Sequence, residues 1–162
     1  MGVDIHVFVL KRNKETEKWD KLSLYFEDDG ELKETQPLDG WRNREMFQII
    51  QEDLPSSAIK WDLIGEGKEK IEQYKNYSGF YHFSEINYMK LENYLKKHSK
   101  VIDDDAEDEY YTRHGKSSKK PLLKKNPVWH LYKQVKWFIT FAEGWHLQSD
   151  EDDYKIIYFF DH

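Results

Sequence analysis

A chain of 162 residues is long enough for one domain that buries roughly two thirds of its unfolded surface. A net charge of −6 denies it the positive surface that general duplex binding requires, and the absence of cysteine excludes disulfides and thiolate metal sites. Aromatic residues make up 16% of it, six of them Trp, and this ring area offsets a charged fraction of 35% that alone would favour disorder.

Val3 to Leu10 alternates. Ile5, Val7 and Val9 form an apolar face, while Asp4, His6, Phe8 and Leu10 form one that is polar at its start. This predicts a strand with one core face and with Asp4 and His6 at the rim. Lys11 to Lys18 reads as a turn and Trp19 to Phe26 as the returning strand of a hairpin. Glu27-Asp28-Asp29-Gly30-Glu31 is a solvated turn, and the chain turns again between Pro37 and Gly40. Met46, Phe47, Ile49 and Ile50 fall at helical spacing in a short amphipathic helix, Arg42 to Gln51, that ends before Pro55. From Ser56 to Phe80 the pattern stays open: Gly65 and Gly67 flank a turn, and Lys68 to Tyr74 fits one or two helical turns. Tyr88, Leu91, Leu95 and His98 then share one stripe of a helix over Glu85 to Lys97, with Ser84 as its N-cap.

Ser99 to Lys125 reads as a mobile, charge-separated insertion. Asp103 to Glu109 holds six acids in seven residues, and Arg113 to Lys125 six basic residues in thirteen. The acidic run is not an EF-hand loop, since its sixth position lacks Gly and its twelfth is His114. The strongest helix follows: Asn126 caps it, Pro127 opens it, and Val128, Leu131, Tyr132, Val135, Phe138, Ile139 and Ala142 make one apolar face before Gly144 closes it. After a loop, Tyr154 to His162 is a β-branched and aromatic run, and Val3 to Leu10 is its natural partner. The expected fold is α+β: one domain over residues 1–162, a mostly antiparallel sheet with the N- and C-terminal strands adjacent, and about three helices packed on it. No apolar run nears the ~20 residues of a membrane span, and no basic-then-apolar leader opens the chain, so a soluble cytoplasmic protein is expected.

Asp4, His6, His82 and Asp161 are the residue types of a hard or borderline metal site, which could activate water for phosphoester hydrolysis. The structural alternative is that the carboxylates accept backbone or Arg hydrogen bonds and the imidazoles pack. Arg42 could tie Asp4 or Asp161 to the first helix, or meet a ligand phosphate. Trp129, Trp137, Trp145 and Tyr158 could stack a base, though aromatics at helix and strand spacing equally serve a core. No Walker loop, dinucleotide glycine fingerprint, nucleophile elbow or paired-His helix is present.

Four segments in order carry a resemblance. They are Met-Gly-Val-Asp-Ile-His at the start, Gly40-Trp41-Arg42-Asn43-Arg44-Glu45-Met46-Phe47, Tyr88-Met89-Lys90-Leu91-Glu92, and Ile157-Tyr158-Phe159-Phe160-Asp161-His162. Together they resemble a family of bacteriophage and prophage proteins that begins Met-Gly-Cys-Asp-Ile-His and closes on a Phe-Asp-Asn strand. Val3 stands where that family has Cys, Trp41 is interposed before Arg42 where that family runs Gly-Arg-Asn, and His162 replaces the final Asn. The resemblance implies a phage origin and the cytoplasm of an infected or lysogenic bacterium, and it carries no reaction with it. The resulting expectation is an accessory protein that binds a small anionic, nucleotide-like ligand or a host defence protein, through Asp4, His6, Arg42, Asn43, His82 and Asp161. The rival is a metal-dependent phosphoester hydrolase built on the Asp/His cluster.

Overall fold

The computed structural model describes residues 4–35, 38–41, 44–98, 128–144 and 151–161. The charged run 99–125, the cap at Asn126 and Pro127, and the residues Arg42, Asn43, Trp145 and His162 lie outside the described residues.

Strand β1 (Asp4–Arg12) and strand β8 (Tyr154–Asp161) pair antiparallel over eight residue pairs, from Asp4 opposite Asp161 to Lys11 opposite Tyr154. The fold is therefore α+β with its first and last strands adjacent, as their composition predicts. On the far edge of β1 two short strands share the ladder: β2 (Trp19–Lys21) pairs its end and β5 (Leu38–Trp41) its start. On the far edge of β8 lies β7 (Phe80–Asn87), followed by β6 (Ser57–Ala58). The turn expected between Pro37 and Gly40 is thus partly strand.

Alternation gives this sheet two buried faces. Ile5, Val7, Val9, Ile156, Tyr158 and Phe160 pack under α1 (Arg44–Glu52), α3 (Tyr88–His98) and α4 (Val128–Ala142). Phe8, Leu10, Ile157 and Phe159 pack on the other side with Ile59, Leu63 and Ile71, the last from α2 (Gly65–Lys75). Burial on both sides explains why β8 is β-branched or aromatic at nearly every position. Four helices stand among the described residues, one more than the sequence pattern resolves. None of them is long and apolar enough to cross a membrane.

Two sequence boundaries are corrected. The helix expected from Glu85 begins at Tyr88, and its cap is Asn87, whose Oδ1 accepts from Met89 N at 2.8 Å. Ser84 and Glu85 belong to β7 instead, so Ser84 is not a cap. The returning strand expected over Trp19 to Phe26 is broken after Lys21. Leu24–Asp28 (β3) leaves the main sheet and pairs with Glu31–Thr35 (β4) in a separate hairpin. Asp29 and Gly30 close it with φ of 50° and 79°, the left-handed pair that a two-residue turn requires. Lys21, almost wholly buried, pins the hairpin base by pairing with Glu34. Burial opposes the charge on Lys21, but its hydrogen bond and attraction to Glu34 outweigh this and raise its pKa; the same contact lowers that of Glu34 against its own burial.

The helix α2 is seated by a close approach. Asp20 Oδ1 accepts from Gly67 N at 2.8 Å, standing in for a cap that Ile64 cannot provide. A Cβ at Gly67 would lie 2.6 Å from the backbone N of Lys21, so only glycine lets the helix meet β2. Of the rings weighed as stacking platforms, Trp129 and Tyr158 are buried in the core. Trp137 is about half exposed and rests on Phe141 at 4.3 Å.

Two expected outcomes test this architecture. Phe159 is buried among His6, Phe8, Tyr74, Phe80 and Phe83, so Phe159→Ala will cost about 3–5 kcal/mol in chemical denaturation. For the ion pair, a lowered carboxyl stabilises the fold above its ordinary value near 4.5, and that contribution disappears as the pH falls through the folded value. A raised Lys stabilises below its ordinary 10.5 and loses this as the pH rises beyond it. Glu34→Gln will therefore show a flatter loss of stability than the parent on both sides of neutrality, measured by urea titrations across pH.

Candidate functional site

The two ends of β8 carry different chemistry, about 20 Å apart at the rise of an extended strand. At the Asp161 end the structure brings together part of the expected set. Asp4 and Asp161 face each other across the ladder, and His6 Nε2 lies 2.9 Å from Asp161 Oδ2. The His6 ring stacks on Phe159 at 5.3 Å and meets Phe80 edge-on. Asp161 Oδ1 is buried with no hydrogen-bond partner among the described residues.

His82 does not join this group. Its ring stacks on Phe160 at 4.9 Å, and Phe160 faces the helices while Phe159 faces α2, so the two histidines lie on opposite faces of the sheet. The cause is a β-bulge. Tyr81 pairs with Phe160 and Ser84 with Tyr158, which leaves His82 and Phe83 together opposite Phe159. His82 takes φ of 59°, the left-handed conformation that such a bulge usually assigns to glycine. Burial lowers its pKa, and its Nε2 lies 3.5 Å from Ser84 Oγ. The four-residue cluster expected from sequence thus divides between two faces. Among the described residues no group of three or more His, Asp or Glu side chains is placed to hold a metal ion.

At the other end of β8 the strand opens on a cleft of about 460 Å³, within the size range of small-molecule sites. Its floor is Lys155, a residue the sequence reading passed over. Lys155 points to the α2 side, like Ile157 and Phe159, and only 5% of its side chain is exposed. Its ammonium donates to Glu85 Oε2 at 2.9 Å and to Asp62 Oδ1 at 3.0 Å, and lies 4.5 Å from the centre of the Trp19 ring. A buried ammonium needs such company, because desolvating it alone costs several kcal/mol.

Each partner is fixed by its element. Glu85 comes from β7, one strand over. Asp62 sits on the loop between β6 and α2, which is stitched to β2: Trp19 N donates to Asp62 O, and Ile64 N to Trp19 O, both at 2.9 Å. Ile59 and Leu63 anchor this loop in the core. Trp61, at φ of 59°, lies between the Lys75 ammonium and Phe83. Lys60 N reaches Glu85 Oε2 at 3.4 Å and closes the arrangement.

The rim adds Lys60, Lys90, Asn87, Asp152 and two serines, Ser56 and Ser57. Lys60 and Lys90 are exposed, and neither ammonium has an ion-pair partner among the described residues. Lys90 stands in the first turn of α3, which holds no acidic residue, so its charge adds to the positive end of the helix. The cleft therefore has a rim on which two lysines outnumber one carboxylate, Asp152, and a floor whose lysine is already matched by two carboxylates. It can hold an anionic group at its mouth and a flat polar group deeper, beside an indole.

One signal in the sequence could have found this site. A lone Lys in a strand buried on both faces requires a carboxylate partner. Glu85 was hidden by its assignment to a helix, and the loop carrying Asp62 has no periodicity. No family model matches this chain, and no curated protein or solved structure matches it either.

Removing one member of the triad separates architecture from function. Lys155→Met will strand Glu85 in a nearly dry site and cost about 3–5 kcal/mol, whereas Lys155→Met with Glu85→Leu will recover most of that loss. Equal destabilisation of the single and double variants in denaturant titrations would mean that Lys155 contributes packing alone.

Proposed function

We propose that this chain is a phage accessory protein that acts by binding, and that it captures a small anionic, nucleotide-like ligand in the cleft above Lys155. The observation that carries this reading is the pair of ammoniums, Lys60 and Lys90, unmatched among the described residues, on the rim of a cleft of about 460 Å³ that is walled by Trp19. Charged rims recruit anions, and an indole beside them suits a base or a similar planar group. The likeness of both chain ends to the phage family supports the accessory role, and sequestration of a nucleotide signal used in host defence is the form of that role which a binding cleft serves.

The site thus differs from the one the sequence suggests. His6 and Asp161 tie β1 to β8, and Arg42 and Asn43 lie outside the described residues.

Incubation with a panel of linear and cyclic nucleotides, followed by re-isolation, denaturation and analysis of what is released, tests the proposal. Intact ligand near one per chain is the expected result, and Lys60→Ala with Lys90→Ala will abolish retention while leaving the melting temperature of the empty protein unchanged. Product formed in many-fold excess over protein would replace this reading with a phosphoester hydrolase. Retention of nothing would shift the binding role to a host defence protein.

A further inference from the structure

The floor of the cleft presents a definite hydrogen-bonding pattern. Lys155 spends its ammonium on Asp62, Glu85 and the face of Trp19. Asp62 uses Oδ1 for that contact and Glu85 uses Oε2, which also accepts from Lys60 N. Asp62 Oδ2 and Glu85 Oε1 have no hydrogen bond among the described residues, and both residues line the cleft. Ionised carboxylates accept and never donate. Whatever enters beyond the rim lysines therefore meets two carboxylate acceptors on the floor, beside the indole of Trp19.

This pattern discriminates between bases. Uracil and thymine offer one imino N–H flanked by two carbonyls, which carboxylates repel. Adenine and cytosine offer an amino group next to a ring nitrogen that is itself an acceptor. Only guanine places two donors side by side, N1–H and the 2-amino group, and such a fork matches carboxylate oxygens in the way a guanidinium does. Resting on the nucleotide-capture reading above, we propose that the cleft selects guanine nucleotides. The guanine N1–H and 2-amino group meet Asp62 and Glu85, and the phosphate meets Lys60 and Lys90. Charged acceptors make each such hydrogen bond worth roughly a factor of ten or more in affinity.

Calorimetric titration with GMP, IMP, AMP, UMP and ribose 5-phosphate tests this on the intact chain. IMP differs from GMP only in lacking the 2-amino group, so GMP is expected to bind at least tenfold tighter than IMP, with UMP and ribose 5-phosphate weakest and similar to each other. Asp62→Asn exchanges one acceptor for a mixed group at a partly exposed position and, where the melt confirms folding, will remove most of the GMP preference over IMP without lowering ribose 5-phosphate affinity. Lys60→Ala will weaken all five ligands by a common factor. Equal affinity for GMP and IMP, or a GMP preference that survives Asp62→Asn, overturns the guanine assignment and leaves nucleotide capture standing. Failure of all five, ribose 5-phosphate included, overturns nucleotide capture as well.

Discussion

Everything in this fold depends on the ladder between β1 and β8. Eight consecutive pairings join segments about 150 residues apart in the chain, and each strand is buried on both faces. The helices are divided between its two sides: α1, α3 and α4 cover one and α2 the other. The ladder also sets the chemistry at each end of the sheet. It brings Asp4, His6 and Asp161 to one margin and places Lys155 at the other, where β7 and the loop before α2 supply its carboxylates. A strand with nowhere to put a charge carries one only where the surroundings are arranged to receive it.

Much of the architecture was legible because it rests on periodicity. The alternation from Asp4 to Leu10 named the core face correctly, with Ile5, Val7 and Val9 all fully or nearly fully buried. The apolar stripe of α4 was equally plain. What failed was local structure whose period is broken. In β7 the bulge inserts one extra residue, so Phe80, Tyr81 and Phe83 no longer alternate with polar neighbours, and the run reads as neither strand nor helix. That one residue also moved His82 to the wrong face for the site anticipated from residue types alone. The helix beginning was misplaced for a related reason: Glu85 and Ser84 are good helix-start residues by type, yet a partner strand and a buried ammonium hold them extended.

The candidate site was less legible than the fold. Lys60, Asp62, Glu85, Lys90 and Lys155 come from one loop, a helix and two strands, and none belongs to a compact motif. Their relation exists only once β2, β7 and β8 are in register. Residue type was informative about one of them, Lys155, because burying a charge in a strand has a cost that only carboxylate partners offset.

The hairpin β3–β4 has a consequence for how copies of the chain meet. It stands apart from the main sheet and exposes Tyr25, Phe26 and Leu32 along two short strands, the kind of surface that invites edge-to-edge association. Between and beside these side chains run Glu27, Asp28, Asp29, Glu31 and Glu34, with Lys33 the only cation among them. Two such arms approaching in solution bring like charge against like charge before any ring can touch. The acids at the tip of the ribbon thereby oppose its association with a second copy, and a salt concentration high enough to screen them frees the same ribbon to pair with its neighbours.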